Sequence, residues 1–344
     1  MRSIPSCAEE GLVSTKKPVL EVRNLRVEFP NRRGNLVAVD DVSFTVNEGE
    51  VLGVVGESGA GKSMTGSAII GLLEPPGRIA GGEVWLDGER IDNLSQEAMR
   101  KIRGKRIGMV FQDPLTSLNP LYTVGWQLIE TILTHQDLTE AQARKHAIDL
   151  LGEVGIPSPE KRIDQYPHQF SGGMRQRVVI ALALCVNPRM IIADEPTTAL
   201  DVSIQAQIIK LLKRLCDEHG AAIMLVTHDM GVIAETADRV AVMYAGRIAE
   251  IGPVQDVIKK AKHPYTEGLM GSIPVVGHDL ERLTQIEGSM PRLTEIPRGC
   301  AFNPRCPQVF DRCRVERPNL IDVDRSSAAC WLHANGTSKT EAAQ

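Results

Sequence analysis

The segment GESGAGKS, residues 56–63, combines three glycines with a lysine and a serine in the order G-x-x-x-x-G-K-S. Glycines allow backbone N–H groups to wrap around phosphate oxygens at the start of a helix. Lys62 is expected to reach the β- and γ-phosphates of a nucleotide, and Ser63 to bind Mg²⁺. The residues predicted to contact the nucleotide here are Gly56, Ser58, Gly59, Ala60, Gly61, Lys62, Ser63 and Met64.

Two later apolar segments end in polar side chains that suit phosphate hydrolysis. RMIIADEP ends in Asp194, which is suited to the Mg²⁺ shell, and Glu195, which is suited to polarising a water molecule for attack on the γ-phosphate. LVTHD carries His228, whose neutral imidazole can hydrogen-bond the γ-phosphate and orient that water. Acids and a histidine with purely structural roles at strand ends are the alternative interpretation.

Two further side chains are candidates for the nucleotide site. Gln112, in MVFQDPL, is suited to contact Mg²⁺ or the attacking water through its side-chain amide, and a solvated loop glutamine is the alternative. Phe29 offers an aromatic face on which adenine can stack, but it can equally belong to the core. The sequence leaves both choices open.

A second anion-binding signal lies in FSGGMRQR, residues 170–177. Ser171, Gly172 and Gly173 precede a helical run, so their N–H groups and the helix dipole are expected to face an anion. No lysine and no acidic strand accompany this segment. It can therefore bind a terminal phosphate but cannot build a whole nucleotide site, and we expect its ligand to be a γ-phosphate held by another polypeptide.

Four of the seven cysteines follow residue 299, with the spacing C-x5-C-x6-C-x16-C. In a reducing cytosol such clustering indicates metal ligation or free thiols rather than disulfides. The spacing is a poor zinc pattern, because zinc knuckles favour about two to four residues between paired ligands. It does not match the ferredoxin spacing either, although four thiolates are the usual complement of a cubane iron–sulfur cluster and Pro307 follows Cys306.

Strand and helix patterns alternate around these motifs. VLEVRNLRVEF and EVLGVVG have strand patterns, and KSMTGSAIIGLL follows as a helix. Strand patterns resume at MIIAD and AAIMLVT, with an amphipathic helix between them. A strand, a glycine loop and a helix in this order predict an α/β nucleotide-binding fold.

The patterns divide the chain into a large domain, a small module and two tails. Residues 1–17 have no periodicity and predict a flexible tail. The α/β domain is predicted over 18–262, with an inserted helical subdomain at about 113–178. A small Cys-containing C-terminal module over 263–335 and a flexible tail at 336–344 follow. No internal repeat is present, so we expect one nucleotide-binding unit.

Charge and hydropathy disfavour two classes of protein. The net charge is −4, the isoelectric point is about 6.1 and no basic stripe is present, so no nucleic-acid partner is expected. The longest apolar run, VVIALALCV, is far shorter than the roughly 20 residues that cross a bilayer, and MRSIPSCAEEGLV lacks the apolar stretch of a signal peptide. The chain is therefore expected to stay in the cytosol and to act at a membrane only through partners.

Taken together, the motifs resemble those of an ABC transporter ATPase over roughly residues 19–262. In family order they are Gly56–Ser63, Gln112, the SGG of 171–173, Asp194–Glu195, the TALD of 198–201 and His228. The resemblance implies a P-loop NTPase core and a head-to-tail dimer, in which the phosphate loop of one subunit and the signature helix of the other enclose one ATP. The residues that would bind nucleotide in trans are Ser171, Gly172, Gly173 and Asp201.

Within that family, several segments are similar to the ATP-binding subunit of bacterial dipeptide and oligopeptide importers. They are VVGESGAGKSMT, VFQDPLTSLNP, FSGGMRQRV, DEPTTALDV and HPYTEGLMGSIP. The resemblance implies ATP hydrolysis coupled to import through two transmembrane permease subunits, with Mg²⁺ bound through Ser63, Gln112 and Asp194. It also implies a second ATPase subunit, for which it favours a non-identical sibling over an identical chain. An extracytoplasmic peptide-binding protein that acts indirectly and a peripheral position at the cytoplasmic face of the bacterial inner membrane are implied as well.

Similar importer subunits carry the C-terminal cysteines, and some bind a [4Fe–4S] cluster with them. The resemblance therefore implies such a cluster, with zinc and free thiols as alternatives. The expected ligands are Cys300, Cys306, Cys313 and Cys330.

Other functions remain open at this point. Importers of nickel or other small solutes use closely similar ATPases. A soluble ABC switch protein in DNA repair or translation is an alternative of another class, although such proteins usually carry two cassettes or a long coiled-coil insertion, and neither is present in this sequence. A small-molecule or nucleotide kinase is disfavoured by the signature helix.

Overall fold

Two β-sheets with helices packed around them form the described part of the chain. The computed structural model describes residues 17–32, 34–197, 201–271 and 286–334. The two predicted tails lie outside these ranges except for Lys17, and residues 198–200 of the TALD segment lie outside them as well. No helix in the described ranges has the length and apolar composition that a membrane crossing requires.

The smaller sheet is antiparallel. Its strands are β1 (Pro18–Asn31), β2 (Gly34–Asn47), β4 (Arg78–Leu86) and β5 (Glu89–Arg90). They are ordered β2-β1-β4-β5. In β2, Val42, Phe44 and Val46 are buried and the residues between them are partly exposed, because successive side chains of a strand point to opposite faces.

The larger sheet contains a parallel centre. Its strands are β3 (Val51–Val55), β6 (Ile107–Val110), β7 (Met190–Asp194), β8 (Ala222–Val226), β9 (Arg239–Tyr244), β10 (Arg247–Pro253), β11 (Ile321–Val323) and β12 (Ser326–Ala328). They are ordered β11-β12-β10-β9-β3-β8-β7-β6, and the neighbours from β9 to β6 are parallel. Every residue of β3, β7 and β8 is buried, as expected for strands covered on both faces.

Twelve helices surround these sheets in the described ranges. They are α1 (Lys62–Ile69), α2 (Gln96–Ile102), α3 (Pro114–Ser117), α4 (Val124–His135), α5 (Glu140–Glu153), α6 (Pro159–Arg162), α7 (Gly172–Leu184), α8 (Val202–His219), α9 (Met230–Thr236), α10 (Val254–Lys259), α11 (Pro264–Gly271) and α12 (Asp311–Val315). Short 3₁₀ turns lie at Pro167–Gln169, Asn303–Arg305 and Trp331–His333. The predicted strand, glycine loop and helix order is confirmed by β3 and α1.

Helices α3 to α6 occupy the segment predicted as a helical insertion. α5 begins with a capping box, in which Thr139 and Gln142 each satisfy a backbone N–H of the other. The apolar side chains that share one face of this helix and its C-cap are buried; they are Ala143, Ala147, Leu150, Leu151 and Val154. This face packs into the same core as β7 and α7.

The C-terminal region continues the larger sheet. β12 pairs with β10 through Glu250↔Ala328 and Ile251↔Ser327, and β11 pairs with β12. The carboxylate of Glu250 is fully buried and accepts hydrogen bonds from the backbone N–H groups of Lys262 and His263, both at 2.9 Å. Burial raises the pKa of Glu250, and these two N–H donors oppose that rise. The domain boundary predicted at 262/263 therefore has direct hydrogen bonds across it.

Phe302 inserts into the main core from this C-terminal region, so its truncation should destabilise the whole fold. Its ring is 1% exposed and lies 5.2 Å from the ring of Tyr244, in an edge-to-face arrangement. We expect Phe302→Ala to lower the free energy of unfolding by about 3–5 kcal/mol, because it leaves a cavity. Denaturant unfolding of the full chain measures this change.

Val315→Ala is the matched control for that substitution, since Val315 lies in the same region but is 71% exposed. We expect a change within about 0.5 kcal/mol for this variant. Equal effects of the two substitutions would show that the C-terminal region does not contribute to the main core.

Candidate functional site: a phosphate loop at the edge of the parallel strands

The phosphate loop runs from the end of β3 to the start of α1. Gly56, Gly59 and Gly61 have φ angles of 152°, 85° and 97°, in a region that L side chains rarely adopt. A Cβ atom on Gly56 would also lie 2.3 Å from the carbonyl oxygen of Met243, and one on Gly61 would lie 2.9 Å from that of Ala38. Both the backbone conformation and the available space therefore require glycine at positions 56 and 61, and the backbone conformation alone favours it at position 59.

The Lys62 ammonium lies inside this loop. It donates hydrogen bonds to the carbonyl oxygens of Gly56 at 2.8 Å and Glu57 at 3.1 Å, and the residue is only 5% exposed. Burial lowers the pKa of Lys62, and the nearby carboxylates of Glu195 and Asp194 oppose that change. The ammonium is thus held inside the loop beside the cavity, in position to contact phosphate oxygens.

Ser63 and Asp194 form a pair of oxygen ligands beside Lys62. The Ser63 hydroxyl donates to Oδ1 of Asp194 at 2.8 Å. Burial raises the pKa of Asp194, while this hydrogen bond lowers it. A hydroxyl and one carboxylate fit Mg²⁺, which usually takes one or two carboxylates together with substrate phosphates. Gln112, predicted as a third ligand, donates a hydrogen bond to Glu195, and its role as a ligand stays a prediction.

Three predicted catalytic side chains meet at Glu195. The Gln112 amide donates to Oε2 of Glu195 at 3.2 Å, and Nδ1 of His228 lies 3.5 Å from the same oxygen. Glu195 has a φ of 44°, which is uncommon for a residue with a side chain and is typical of strained functional positions. Its N–H donates to the carbonyl of Val226, which ties the strained residue to β8. These three side chains form a single polar group.

This group and the phosphate loop line one open cavity of about 700 Å³. Its lining residues are Ala38, Ser58, Gly59, Ala60, Gly61, Lys62, Ser63, Met64, Gln112, Glu195, His228 and Leu293. Ala38 and Leu293 are absent from the sequence prediction. Ala38 comes from β2 and Leu293 from the C-terminal region, and no local motif surrounds either residue.

Phe29 does not line this cavity. Its ring is partly buried and packs against the core of the smaller sheet. The ring also fills the space beside Gly77, where a Cβ atom would lie 2.7 Å from it. The structure favours the core interpretation of Phe29 that the sequence left open, and adenine stacking on it stays a prediction.

The residues predicted to act in trans lie outside the cavity. Ser171 caps α7, with its hydroxyl accepting a hydrogen bond from the N–H of Met174 at 3.4 Å. Gly172 and Gly173 form the first turn of α7, so their N–H groups lie at its amino end. Asp201 is exposed at the start of α8. None of these four residues lines the cavity formed by the phosphate loop of the same chain.

The four C-terminal cysteines lie near one another. The backbone N–H of Cys300 donates to the carbonyl of Cys313 at 2.9 Å, and the thiols of Cys300, Cys306 and Cys313 all lie close enough to raise the pKa of Cys330. However, no three His, Cys, Asp or Glu side chains in the described ranges are arranged to hold a metal ion. The predicted [4Fe–4S] cluster therefore gains no support from this arrangement.

Two family models match the chain. The model of the ABC transporter family matches residues 39–198, which include the phosphate loop, Gln112, the signature segment and Glu195. The model of the oligopeptide/dipeptide transporter C-terminal region matches residues 249–313, which include three of the four clustered cysteines.

Solved structures with this fold include ATP-binding cassettes. The post-hydrolysis dimer of MJ0796 bound to ADP and Pi is 30% identical, with a TM-score of 0.62 over 68% of this chain and 98% of that one. The cbiO1 protein of Clostridium perfringens, from the cbiONQ ABC transporter complex, is 30% identical, with a TM-score of 0.60 over 71% and 91% of the two chains. The predicted α/β P-loop NTPase fold of the ABC type is confirmed.

Curated relatives match nearly the whole chain. The dipeptide transport ATP-binding protein DppD of Escherichia coli is 47% identical over 302 residues, which are 88% of this chain and 92% of the relative. DppD of Bacillus subtilis is 49% identical over 91% and 94% of the two chains, and the oligopeptide transport protein AppD of the same species is 45% identical over 92% and 97%. The chain therefore belongs to the ABC transporter ATPases, among the ATP-binding proteins that carry the oligopeptide/dipeptide transporter C-terminal region.

Proposed function

We propose that this chain hydrolyses ATP to energise the import of dipeptides or oligopeptides across the cytoplasmic membrane. The observation that carries the proposal is the presence of two regions in one chain: a complete phosphate-loop site and the oligopeptide/dipeptide C-terminal region. Relatives that match this chain over at least 92% of their own length are named for dipeptide or oligopeptide transport.

In this proposal the polar group around Glu195 activates water. The Glu195 carboxylate accepts a proton from the attacking water, while His228 and Gln112 orient the water and the γ-phosphate. Lys62 binds the β- and γ-phosphates, and Ser63 and Asp194 would hold Mg²⁺, which when bound would supply charge neutralisation to the phosphates. The hydrogen bonds from Ser63 to Asp194 and from Gln112 to Glu195 support their acting as one unit.

The cavity is completed by a second ATPase subunit in this proposal. Ser171, Gly172 and Gly173 lie at the start of α7, where backbone N–H groups have no intrahelical partner, but they do not line the cavity at the phosphate loop of their own chain. A head-to-tail partner would bring the equivalent segment to this γ-phosphate, with Asp201 beside it. The related MJ0796 cassette is dimeric when bound to ADP and Pi. We further propose a non-identical ATPase as the partner.

Exposed apolar side chains near Gln112 support membrane permeases as further partners. We define the docking surface as Phe111, Leu115, Leu121, Tyr122 and Trp126, which are between 41% and 79% exposed. Such a concentration of exposed large apolar residues within one short segment is typical of an interaction site. Because Gln112 belongs to the same segment and contacts Glu195, movement of a permease against this surface would reach the hydrolytic group.

In this proposal the chain lies peripherally at the cytoplasmic face of the inner membrane. Two permease subunits would contact it directly, and an extracytoplasmic peptide-binding protein would deliver the solute to them. The chain itself would contact no solute, because the docking surface and the nucleotide cavity are its two sites in this proposal.

Glu195→Gln tests the role of the carboxylate. We expect this variant to bind ATP and to hydrolyse it about 10²–10⁴-fold more slowly, because the amide cannot accept the proton from water. It should also hold the ATP-bound dimer closed. Phosphate release and size-exclusion chromatography of the assembled ATPase pair with ATP measure the two effects.

Glu218→Gln is the control for this substitution, since the Glu218 side chain is 58% exposed on α8 and pairs only loosely with Arg214. We expect normal turnover from it. Near-normal turnover of Glu195→Gln as well would remove Glu195 from the proposed role.

Deletion of the gene tests the transported solute. We expect loss of growth on dipeptides as sole nitrogen source and unchanged activity of nickel-dependent enzymes. A wild-type copy should restore growth, and so should Val315→Asp, whereas Leu121→Asp should not. Leu121 and Val315 are similarly exposed, at 79% and 71%, but only Leu121 belongs to the docking surface.

Other results would support the alternatives. Loss of nickel-dependent activity alone would overturn the peptide assignment in favour of a nickel importer. Co-purification of the chain with ribosomes or DNA, without membrane proteins, would favour a soluble ABC switch protein.

The four cysteines are predicted here to react as free thiols, the alternative to a cluster. Burial raises the pKa of Cys300 to about 11 and that of Cys330 to about 12, so both thiols are protonated at neutral pH. Because the thiolate is the reactive form, iodoacetamide should alkylate them slowly at pH 7 and roughly tenfold faster per added pH unit. Mass spectrometry of the native protein quantifies each site.

Iron, zinc and acid-labile sulfide are measured on the same anaerobically purified protein. Metal-free protein with this pH-dependent alkylation supports free thiols. Stoichiometric iron and sulfide, with all four cysteines protected at every pH, would instead establish the [4Fe–4S] cluster.

A further inference from the structure

The C-terminal region contacts the phosphate loop at its second residue, Glu57. The Tyr265 hydroxyl, at the start of α11, accepts a hydrogen bond from the backbone N–H of Glu57 at 2.9 Å. Nη1 of Arg305 donates to both carboxylate oxygens of Glu57 at 3.0 and 3.1 Å. The phosphate-loop motif fixes the glycines, Lys62 and Ser63 but leaves position 57 unspecified, so neither contact follows from the motif.

The Tyr265 contact is linked to Lys62 through a single peptide unit. The carbonyl of Gly56 accepts a hydrogen bond from Lys62 at 2.8 Å, and the N–H of Glu57 in the same unit donates to Tyr265. Because a trans peptide unit is planar, its C=O and N–H groups point in opposite directions. The hydrogen bond to Tyr265 therefore orients the carbonyl that holds the ammonium group of Lys62.

The Arg305 side chain joins the phosphate loop to residues 286–288, which lie shortly before the cavity-lining residue Leu293. Besides Glu57, the Arg305 guanidinium donates to the carbonyl oxygens of residues 286–288, at 2.8 to 3.4 Å. Leu293, which lines the cavity, follows that segment closely. The Arg305 side chain is 7% exposed and that of Glu57 is 28% exposed, so the pair is shielded from solvent more than a surface ion pair.

Packed aromatic rings hold both the Arg305 guanidinium and the Tyr265 hydroxyl in place. The ring of Tyr265 is fully buried and lies 4.6 Å from that of Tyr244, while Tyr244 Oη accepts a 3.4 Å hydrogen bond from Arg305. The Arg305 guanidinium also lies 5.9 Å from the ring of Phe302. Since these neighbours belong to the main core, the positions of Tyr265 and Arg305 are set by the fold rather than by a flexible surface loop.

We propose that Tyr265 and Arg305 are positioning residues for nucleotide binding. By fixing the backbone and side chain of Glu57, the C-terminal region holds the phosphate loop in its nucleotide-binding conformation and thereby sets the affinity for Mg-ATP. This inference rests on the proposed function only in that the loop binds ATP, and it does not depend on the transported solute.

The test measures the dissociation constant of Mg-ATP for the full chain by isothermal titration calorimetry. We expect Tyr265→Phe, which keeps the ring and removes the acceptor, to weaken binding about 2- to 10-fold. Arg305→Met should weaken it about tenfold, and Arg305→Lys should lie between Arg305→Met and the wild type because it keeps the charge. In the assembled ATPase the same variants should raise KM more than they lower kcat.

A double-mutant cycle tests whether Arg305 affects Mg-ATP binding through Glu57, rather than only by attaching the C-terminal region to the rest of the fold. Glu57→Gln should weaken Mg-ATP binding, and adding Arg305→Met to it should cause little further loss, because both substitutions break one interaction. Arg144→Met is the matched control, since Arg144 makes an equivalent two-hydrogen-bond pair with Asp164 on the exposed surface of the helical insertion. It should leave the dissociation constant within about twofold of the wild type.

The outcomes distinguish this inference from the proposed function. Wild-type affinity in Tyr265→Phe and in folded Arg305→Met overturns the positioning role, and additive effects of Glu57→Gln and Arg305→Met overturn the coupling. If Arg305→Met does not fold, the Mg-ATP affinity of Tyr265→Phe alone tests the positioning role. Failure of the wild-type chain itself to bind Mg-ATP would instead contradict the proposed function.

Discussion

The parallel alignment of the strands from β6 to β9 is the constraint on which the site depends. The carboxyl ends of parallel strands lie at one edge of a sheet, and ligands bind in the crevice beyond that edge. The phosphate loop follows β3, Gln112 follows β6, Glu195 follows β7 and His228 follows β8. Groups far apart in the sequence lie within hydrogen-bonding distance because each of them follows a strand that ends at the same edge of the sheet.

The local parts of this arrangement are predictable from the sequence. The glycines of the phosphate loop adopt backbone angles that residues with L side chains rarely adopt. Their spacing in the sequence therefore predicts the loop without information from the rest of the chain. Continuous apolar runs such as MIIAD mark strands that are buried on both faces. The apolar residues of α5 recur at helical spacing, and this spacing predicts its buried face. Each of these signals lies within one short segment.

The parts that the sequence does not predict are contacts between distant segments. Leu293 in the cavity, Arg305 on Glu57 and the pairing of β12 with β10 join residues that have no shared periodicity. Loss of periodicity after residue 263 predicts a separate module, yet this region hydrogen-bonds to the central sheet and fills part of its core. The role of Phe29 could not be predicted from the sequence either, because adenine stacking and core packing both require an aromatic residue.

The electrostatics of the site explain why a Mg²⁺-bound polyphosphate suits it. Burial raises the pKa of Asp194 and lowers that of Lys62, so the fold itself disfavours both charged forms. Lys62 donates to carbonyl oxygens of its own loop, and Asp194 accepts a hydrogen bond from the Ser63 hydroxyl. A phosphate chain offers oxygens to the ammonium and a metal ion to the carboxylate, which compensates both buried charges at once. Binding energy is thus available because the fold has desolvated these two groups beforehand.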